Sequence, residues 1–336
     1  MQKIDFVILW VDGNDPVWQK EKAKFSPEKS SDDTAVRYRD WETLRYFFRG
    51  VESFAPWVNK IHFVTSGHYP SWLNLNHKKL NFIRHKDFID QKYLPLFNSN
   101  AIELNLPSLK SLSNHFVLFN DDMFLIRPTQ PTDFFKNNLP CDSAILSPII
   151  PKGSDGFHKC LANNVAIINN NFQKHLSKKW FSPKYYFDLF RNLALSPWHN
   201  FPGFYNPHIP ISFDKSLIKK SLALDPIATE TTKSSRFRDN NTNISIWLAR
   251  YYQLITNNFY PRSIKFGQNF EYKKDNSKMY SAIKNQSYST ICLNDVPDDY
   301  DFESEKQKTL AAFNSILPEK SAFELSEKIS NHRKDN

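Results

Sequence analysis

The sequence predicts an α/β protein built on a mostly parallel sheet, and three observations carry that reading. Short apolar runs at residues 4–11, 60–65, 80–84 and 115–119 have the length of buried strands. Segments with helical spacing separate them, the alternation that produces parallel sheets. Two adjacent carboxylates, Asp121 and Asp122, close the last run, where open α/β sheets bind their ligands.

Residues 4–11 read as the first buried strand, and Asp12-Gly13-Asn14-Asp15-Pro16 as a strong turn. Residues 39–54 read as a helix, with Leu44, Phe47, Phe48 and Val51 at i, i+3, i+4 and i+7. After two short strands, Ser99 is placed to cap a helix whose Ile102, Leu106, Leu109 and Leu112 face inward. Phe116-Val117-Leu118-Phe119 then runs into Asn120-Asp121-Asp122. Residues 127–160 are rich in proline and turn signals, and residues 161–222 mix helix-like runs with Trp, Phe and Pro. Residues 244–255 form a further helix. From Glu303, two amphipathic helical runs meet at Pro318 and lead into a polar end. Such a tail can lie on anionic lipid or pack on the core.

Composition narrows the function. A 336-residue chain with 40% hydrophobic and 15% aromatic residues folds and is not disordered. Cys141, Cys160 and Cys292 are odd in number and far apart, so neither a disulfide framework nor a zinc site is indicated. That favours a reducing compartment. The N-terminus lacks secretory-signal organisation, and no apolar stretch has spanning length. The net charge of +9 permits a nucleotide, a phosphate polymer or a membrane surface as partner, and equally a plain solvated surface. With 7 glycines and neither GxGxxG nor GxxxxGK[ST], the usual backbone phosphate cradles are absent. A phosphate ligand must be held by side chains and metal.

Each candidate residue has a bland alternative. Paired acids at a strand end suit a hard divalent cation, and equally a solvated turn. Asp12 and Asp15 can face a ribose or a metal, or form Asx turns. Arg37, Arg39, Asp40, Glu42 and Arg45 cluster where the helix over residues 39–54 starts. Arg offers a phosphate fork, while the acids suit a helix N-terminus without any function. Glu103 lies in the first or second turn of the helix before the acidic strand, as a site acid or as a surface glutamate. His208 lies between Pro207 and Pro210 in a rigid loop, which makes a pinned acid/base histidine or a structural one. Arg238, in Arg236-Phe237-Arg238-Asp239, can clamp phosphate or sit in a solvated basic run.

In order, these segments resemble the Stealth family of sugar-1-phosphate transferases. That family includes bacterial capsular polysaccharide phosphotransferases and the catalytic subunit of lysosomal-enzyme GlcNAc-1-phosphotransferase. The first matching block is Ile4-Asp5-Phe6-Val7-Ile8-Leu9-Trp10-Val11-Asp12-Gly13-Asn14-Asp15-Pro16-Val17-Trp18. The second runs from Arg37-Tyr38-Arg39-Asp40-Trp41-Glu42 through Pro70-Ser71-Trp72-Leu73 to Asn120-Asp121-Asp122. The third includes His208-Ile209-Pro210 and ends near Arg238; the fourth is Ile291-Cys292-Leu293-Asn294-Asp295. At Thr65-Ser66-Gly67-His68 the chain departs from the Thr-Asn-Gly-Gln of many members.

The resemblance implies a Rossmann-like nucleotide-sugar transferase core with helical additions in the C-terminal half. It implies a catalytic unit over residues 1–300, with blocks near 4–18, 37–127, 161–255 and 290–296, and a helical tail over 301–336. It implies transfer of hexose-1-phosphate, GlcNAc-1-phosphate or a related hexosamine from a UDP-sugar, to a sugar hydroxyl. The product is a phosphodiester in a capsular or surface polysaccharide, and a nucleoside monophosphate is released. Glu103, Asp122, His208 and Arg238 match catalytic positions; Asp12, Arg39 and Asp40 match characteristic early ones. With Arg45 and Asn120, these early residues form the expected substrate-binding set.

Phosphoryl transfer needs in-line positioning and neutralised charge. Asp122, with Glu103 or Asp121, is expected to hold Mg²⁺ or Mn²⁺ against the donor diphosphate. Arg238 is expected to hold the transferring phosphate, and His208 to take the acceptor proton. The expected partners are a nucleotide-sugar donor and a saccharide or growing polysaccharide acceptor, with no nucleic acid. The expected location is cytoplasmic, with peripheral contact to the inner membrane face or to capsule machinery. Two other classes fit less of the pattern: a metal-dependent glycosyltransferase releasing UDP, and a non-catalytic binder of anionic polysaccharide.

Overall fold

Ile4, Phe6, Val7 and Ile8 are buried on both faces of β1 (Ile4–Leu9), as a central parallel strand requires. The structure is a computed structural model that describes residues 3–26, 39–151, 156–296 and 300–325. After β1 come α1 (Pro16–Phe25), α2 (Leu44–Phe54), β2 (Ile61–Thr65), β3 (Leu80–Arg84), α3 (Ser99–Asn105), β4 (His115–Phe119) and β5 (Met123–Leu125). Next are α4 (Pro131–Phe134), β6 (Phe135–Lys136), β7 (Leu139–Asp142), α5 (Gly156–Asn171) and α6 (Leu189–Leu195). β8 (Ile211–Asp214), α7 (Lys215–Leu222), α8 (Pro226–Ser234), α9 (Trp247–Ile255) and β9 (Tyr260–Pro261) follow. The chain closes with β10 (Gly267–Glu271), α10 (Ser277–Lys284), β11 (Thr290–Asn294) and α11 (Phe302–Asn314).

The central sheet has the order β3-β2-β1-β4-β8. All its pairings are parallel except β4–β8. Phe6 stands beside Ile61 on one side and Val117 on the other. Because side chains alternate across a strand, Ile4, Phe6 and Ile8 enter one core and Val7 enters another. The first core takes α2, α10 and α11; the second takes α3, α7 and α9.

One connection positions the site. β4 belongs to the central sheet, but β5 pairs antiparallel with β11 in a separate sheet, β10-β11-β5. Asn120, Asp121 and Asp122 therefore form a turn between two sheets. The Met123 N–H donates to the Asn120 carbonyl at 3.1 Å, and the Leu293 N–H to the Asp122 carbonyl at 2.9 Å.

The structure revises several expected boundaries. The helix expected from residue 39 starts at Leu44, because Glu42 has φ 56, a left-handed conformation that a helix cannot contain. Arg37 lies outside the described residues. α1 was not expected, although Asp15 caps it by accepting from the Val17 and Trp18 N–H groups at 2.8 Å and Pro16 sits in its first turn. Only Trp18 is buried, so α1 has no apolar periodicity to reveal it. The cap of α3 is Asn98 and not Ser99. α3 ends at Asn105 and passes into a 3-10 turn at Leu106–Ser108, yet Leu106, Leu109 and Leu112 remain buried as expected. The helix expected from residue 244 begins at Trp247.

The C-terminal segment packs on the first core. Phe313 stacks on Tyr46, and Phe323 packs on Phe48. Arg49 makes a bidentate pair with Glu324 at 2.8 and 2.9 Å. No second helix forms after Pro318 among the described residues: residues 319–325 form a turn and an isolated bridge from Glu324 to Leu73. Residues from 326 onward lie outside the described ones.

Candidate active site

The C-terminal ends of β1, β2, β3 and β4 open into one cavity of about 830 Å³. Asp12, Ser66, His85 and the Asn120–Asp122 turn line it from below. α3 supplies Ser99, Asn100 and Glu103, and the far wall carries His208, Arg238 and the ends of β10 and β11. The volume lies within the range of small-molecule sites.

Asp122 is the centre of the site. Its oxygen, a ring nitrogen of His208 and the sulfur of Cys292 all lie within 4.8 Å of one another. The Asp122 Oδ1 atom is buried and has no hydrogen-bond partner among the described residues. Burial raises the carboxyl above its ordinary range, while the His208 charge and a hydrogen bond from the Cys292 thiol pull it down. Burial also pushes the Cys292 thiol well above its ordinary value, helped by the charges of Asp122 and Asp121. Cys292 thus acts as a neutral donor and not as a thiolate.

His208 reaches Asp122 from a strained loop. Its φ is 47, in the left-handed region that a histidine seldom adopts. α9 pins the loop: Arg250 donates to the Tyr205 carbonyl at 2.9 Å, and the Asn206 side chain donates to the Tyr251 hydroxyl, also at 2.9 Å. Arg250 is itself held by a buried bidentate pair with Asp142 at 2.7 and 2.9 Å.

Glu103 and Arg238 come together from distant sequence. The Asn98 side chain donates to Asn243 Oδ1 at 2.8 Å, and Phe97 stacks on Phe237. The Arg238 Nη2 group donates to Ser99 Oγ at 2.9 Å. Burial pushes the Glu103 carboxyl up to about 7, against the opposing pull of the Arg238 charge. Glu103 thus titrates around neutral pH, where both its acid and its carboxylate forms are present.

The early residues divide. Asp12 lines the cavity; its carboxylate accepts from the Asn14 N–H at 2.9 Å, and its own N–H donates to His68 Nε2 at 2.9 Å. The bland reading of Asp15 holds, since it caps α1. Arg39 faces Asp295 at 4.0 Å and lies over the Phe302 ring. Asp40 lines the cavity and accepts from the Glu42 N–H at 2.7 Å. Asn120 also lines the cavity. Arg45 does not: one turn from Arg49 on the same face of α2, it faces Glu324 at 3.9 Å and lies over the Trp72 ring. Asp121 lines the cavity from an exposed position outside the Asp122–His208–Cys292 group.

Three contributors were missed. Cys292 carried no metal-site spacing, and only its place before Asn294-Asp295 hinted at a role. Asp295 accepts hydrogen bonds from Trp41 Nε1 at 3.1 Å and from the Tyr300 hydroxyl. His85 lines the cavity, and burial lowers its imidazole to about 4, with help from His68.

The donor set bears on a cation. A bare, buried carboxylate oxygen beside an imidazole fits a divalent ion, and a protonated thiol does not add a hard ligand. The fit therefore rests on Asp122, with Asp121 nearby. No helix among the described residues is long and apolar enough to cross a membrane.

Comparison with known proteins gives a consistent relationship. Stealth protein CR1, conserved region 1, matches residues 2–30, and Stealth protein CR2, conserved region 2, matches residues 37–142. The capsular polysaccharide phosphotransferase WcwK of Streptococcus pneumoniae is 42% identical over 332 residues, 96% of this chain and 98% of that protein. The exopolysaccharide phosphotransferase cps2G of Lactiplantibacillus plantarum is 41% identical, covering 96% of both chains. Among solved structures, the galactosyltransferase LgtC with donor and acceptor sugar analogs aligns over 93% of this chain and 96% of that one. Its TM-score is 0.42 and its identity 9%.

Proposed function

The chain belongs to the Stealth family, and from that premise we propose that it transfers hexose-1-phosphate from a nucleotide sugar to a sugar hydroxyl. The product is a phosphodiester within a capsular or related surface polysaccharide. A UDP-linked hexosamine is the proposed donor. The observation that carries the reading is the grouping of Asp122, His208 and Cys292 at the end of β4, in one cavity with Glu103 and Arg238.

The acceptor oxygen attacks the sugar-bearing phosphorus in line. The bond from that phosphorus to the bridging oxygen breaks, and the bridging oxygen leaves with the nucleoside monophosphate. His208 takes the acceptor hydroxyl's proton. Arg238, fixed on Ser99 Oγ, holds the transferring phosphate through its guanidinium fork. Glu103, raised to about 7, is partly protonated at neutral pH, and in that form it donates a hydrogen bond where negative charge develops. Asp122, with Asp121, would hold Mg²⁺ or Mn²⁺, and the ion would neutralise charge on the diphosphate. Asp12, Arg39 and Asp40, which line the cavity, are the proposed donor-binding residues. The residues over 1–300 form the proposed catalytic unit. It works on the cytoplasmic side, where nucleotide sugars are made available, in peripheral contact with the membrane.

The test is to incubate the protein with a panel of nucleotide sugars and an acceptor glycan, and to identify the released nucleotide. Nucleoside monophosphate release, with a phosphodiester signal in the product by ³¹P NMR, supports the reading. Release of the nucleoside diphosphate overturns it in favour of glycosyl transfer.

A further inference from the structure

Six large apolar side chains stand exposed within residues 176–198: Leu176, Tyr186, Phe187, Phe190, Leu193 and Trp198. Phe187 is 86% exposed, Phe190 65% and Trp198 63%. Elsewhere such residues are scattered, and isolated ones need no explanation.

α6 is inverted relative to an ordinary surface helix, which turns its apolar stripe to the core. Its inward residue is the fully buried Asn192. That side chain accepts from the Leu146 N–H at 2.6 Å and donates to the Ala144 carbonyl at 2.8 Å. Phe190 and Leu193, three residues apart, share the outward face. Just before them, Tyr186 is held at φ 49 and ψ −129, a strained conformation for a tyrosine, in the turn that presents Phe187.

The charge around this face is one-sided. Residues 174–198 contain five Lys or Arg and a single acid, Asp188. Lys178 and Lys184 are exposed in the same segment, Lys184 with its Nζ donating to the Pro261 carbonyl at 3.0 Å, and Lys265 lies over the Tyr186 ring. Protein interfaces are depleted in lysine, whereas aromatic residues flanked by lysine and arginine suit a lipid headgroup layer.

We propose that the outward face of residues 186–198 docks on an anionic lipid bilayer. Phe187, Phe190, Leu193 and Trp198 enter the headgroup region, and Lys178 and Lys184 face lipid phosphates. The face is continuous with the site. Arg191 donates to Ser147 Oγ at 2.7 Å and lies over the Tyr205 ring, and both residues line the cavity. An acceptor glycan held at the bilayer would therefore meet the cavity mouth. This deepens the peripheral-contact part of the proposed function and rests on it for its purpose, but the binding test needs no turnover.

The full chain is floated with phosphatidylcholine vesicles and with vesicles also containing phosphatidylglycerol, at low and high salt. The chain should float with the anionic vesicles and weaken at high salt. Phe187→Ser/Phe190→Ser/Trp198→Ser should lower vesicle affinity at least about tenfold, with an unchanged thermal midpoint and unchanged turnover on a soluble acceptor. Lys178→Glu/Lys184→Glu should remove the preference for anionic vesicles. A parent chain that does not float, or a triple variant that floats as well as the parent, overturns the proposal. A dimer in solution that the triple variant abolishes, without vesicle binding, also overturns it and assigns the face to a second copy. Nucleotide release in solution is read separately, so failure of docking leaves the transfer reading standing, and the reverse.

Discussion

Arg238 donates a hydrogen bond to Ser99 Oγ at 2.9 Å, and with the Asn98–Asn243 bond and the Phe97–Phe237 stack it joins the two halves of the site. It fixes a guanidinium from the loop after α8 on the helix that carries Glu103. Arg238→Lys keeps the charge but supplies a point donor with no fork. It should lower turnover by about tenfold or more, the worth of one charge-assisted hydrogen bond. A variant with the parent's rate and donor affinity would remove Arg238 from phosphate binding.

Glu103 makes stability depend on pH. Its folded carboxyl is raised from 4.5 to about 7, so the folded chain keeps a proton that the unfolded chain has lost. Stability therefore falls as pH rises through that window, and the whole cost is present above pH 7. Glu103→Gln carries no such proton. Its advantage over the parent in unfolding free energy should grow between these two pH values, up to roughly 3 kcal/mol, and raise its thermal midpoint accordingly. Turnover should fall at the same time. A midpoint difference that stays flat with pH contradicts the raised carboxyl.

Cys292 should tune Asp122. The thiol hydrogen bond lowers the Asp122 carboxyl against the burial that raises it. Cys292→Ala removes that donor, so the carboxyl should rise and the acid limb of the pH–rate profile should move to higher pH. Cys292→Ser keeps a donor and should leave the limb near the parent's position. Loss of one such bond costs about 0.5–1.5 kcal/mol, at most about tenfold in rate near the limb. Identical profiles for both variants would make Cys292 a packing residue.

His208 is tested with its backbone in mind. At φ 47 a β-substituted residue is strained, and Asn tolerates that region better than most. His208→Asn should therefore keep the loop while removing the base, with turnover falling about 10²- to 10⁴-fold and donor affinity little changed. Collapse of donor affinity would make His208 a binding residue instead.

What the sequence disclosed follows from burial. β4 is buried at every position and apolar from Phe116 to Phe119 because both its faces are covered, so the run and the acids after it were readable. α1 was not, since a helix that buries only Trp18 leaves no stripe. The late start of α2 depends on the φ of Glu42, which composition does not encode. Cys292 joins the site because β11 pairs with β5 across more than 160 residues, a register no local pattern reports. The outward Phe190 and Leu193 of α6 mislead in the opposite sense, because an apolar stripe normally reads as core.

Asp122 offers the sharpest test of the cation. Its Oδ1 atom is buried without a partner among the described residues, so ionising it costs stability unless a positive ion answers it. Asp122→Asn removes that charge at nearly constant volume. The variant should be at least as thermally stable as the parent at neutral pH, yet lose orders of magnitude in turnover. Chelation should abolish parent turnover, and Mg²⁺ or Mn²⁺ should restore it. The readout that separates a ligand from a structural acid is stability itself. A cation that binds only the folded chain adds about 2.7 kcal/mol of stability at a hundredfold excess over its dissociation constant, which raises the thermal midpoint. Mn²⁺ should raise the midpoint of the parent and leave Asp122→Asn where it was. An equal rise in both proteins would place the ion elsewhere, and full turnover in excess chelator would remove it from the reaction.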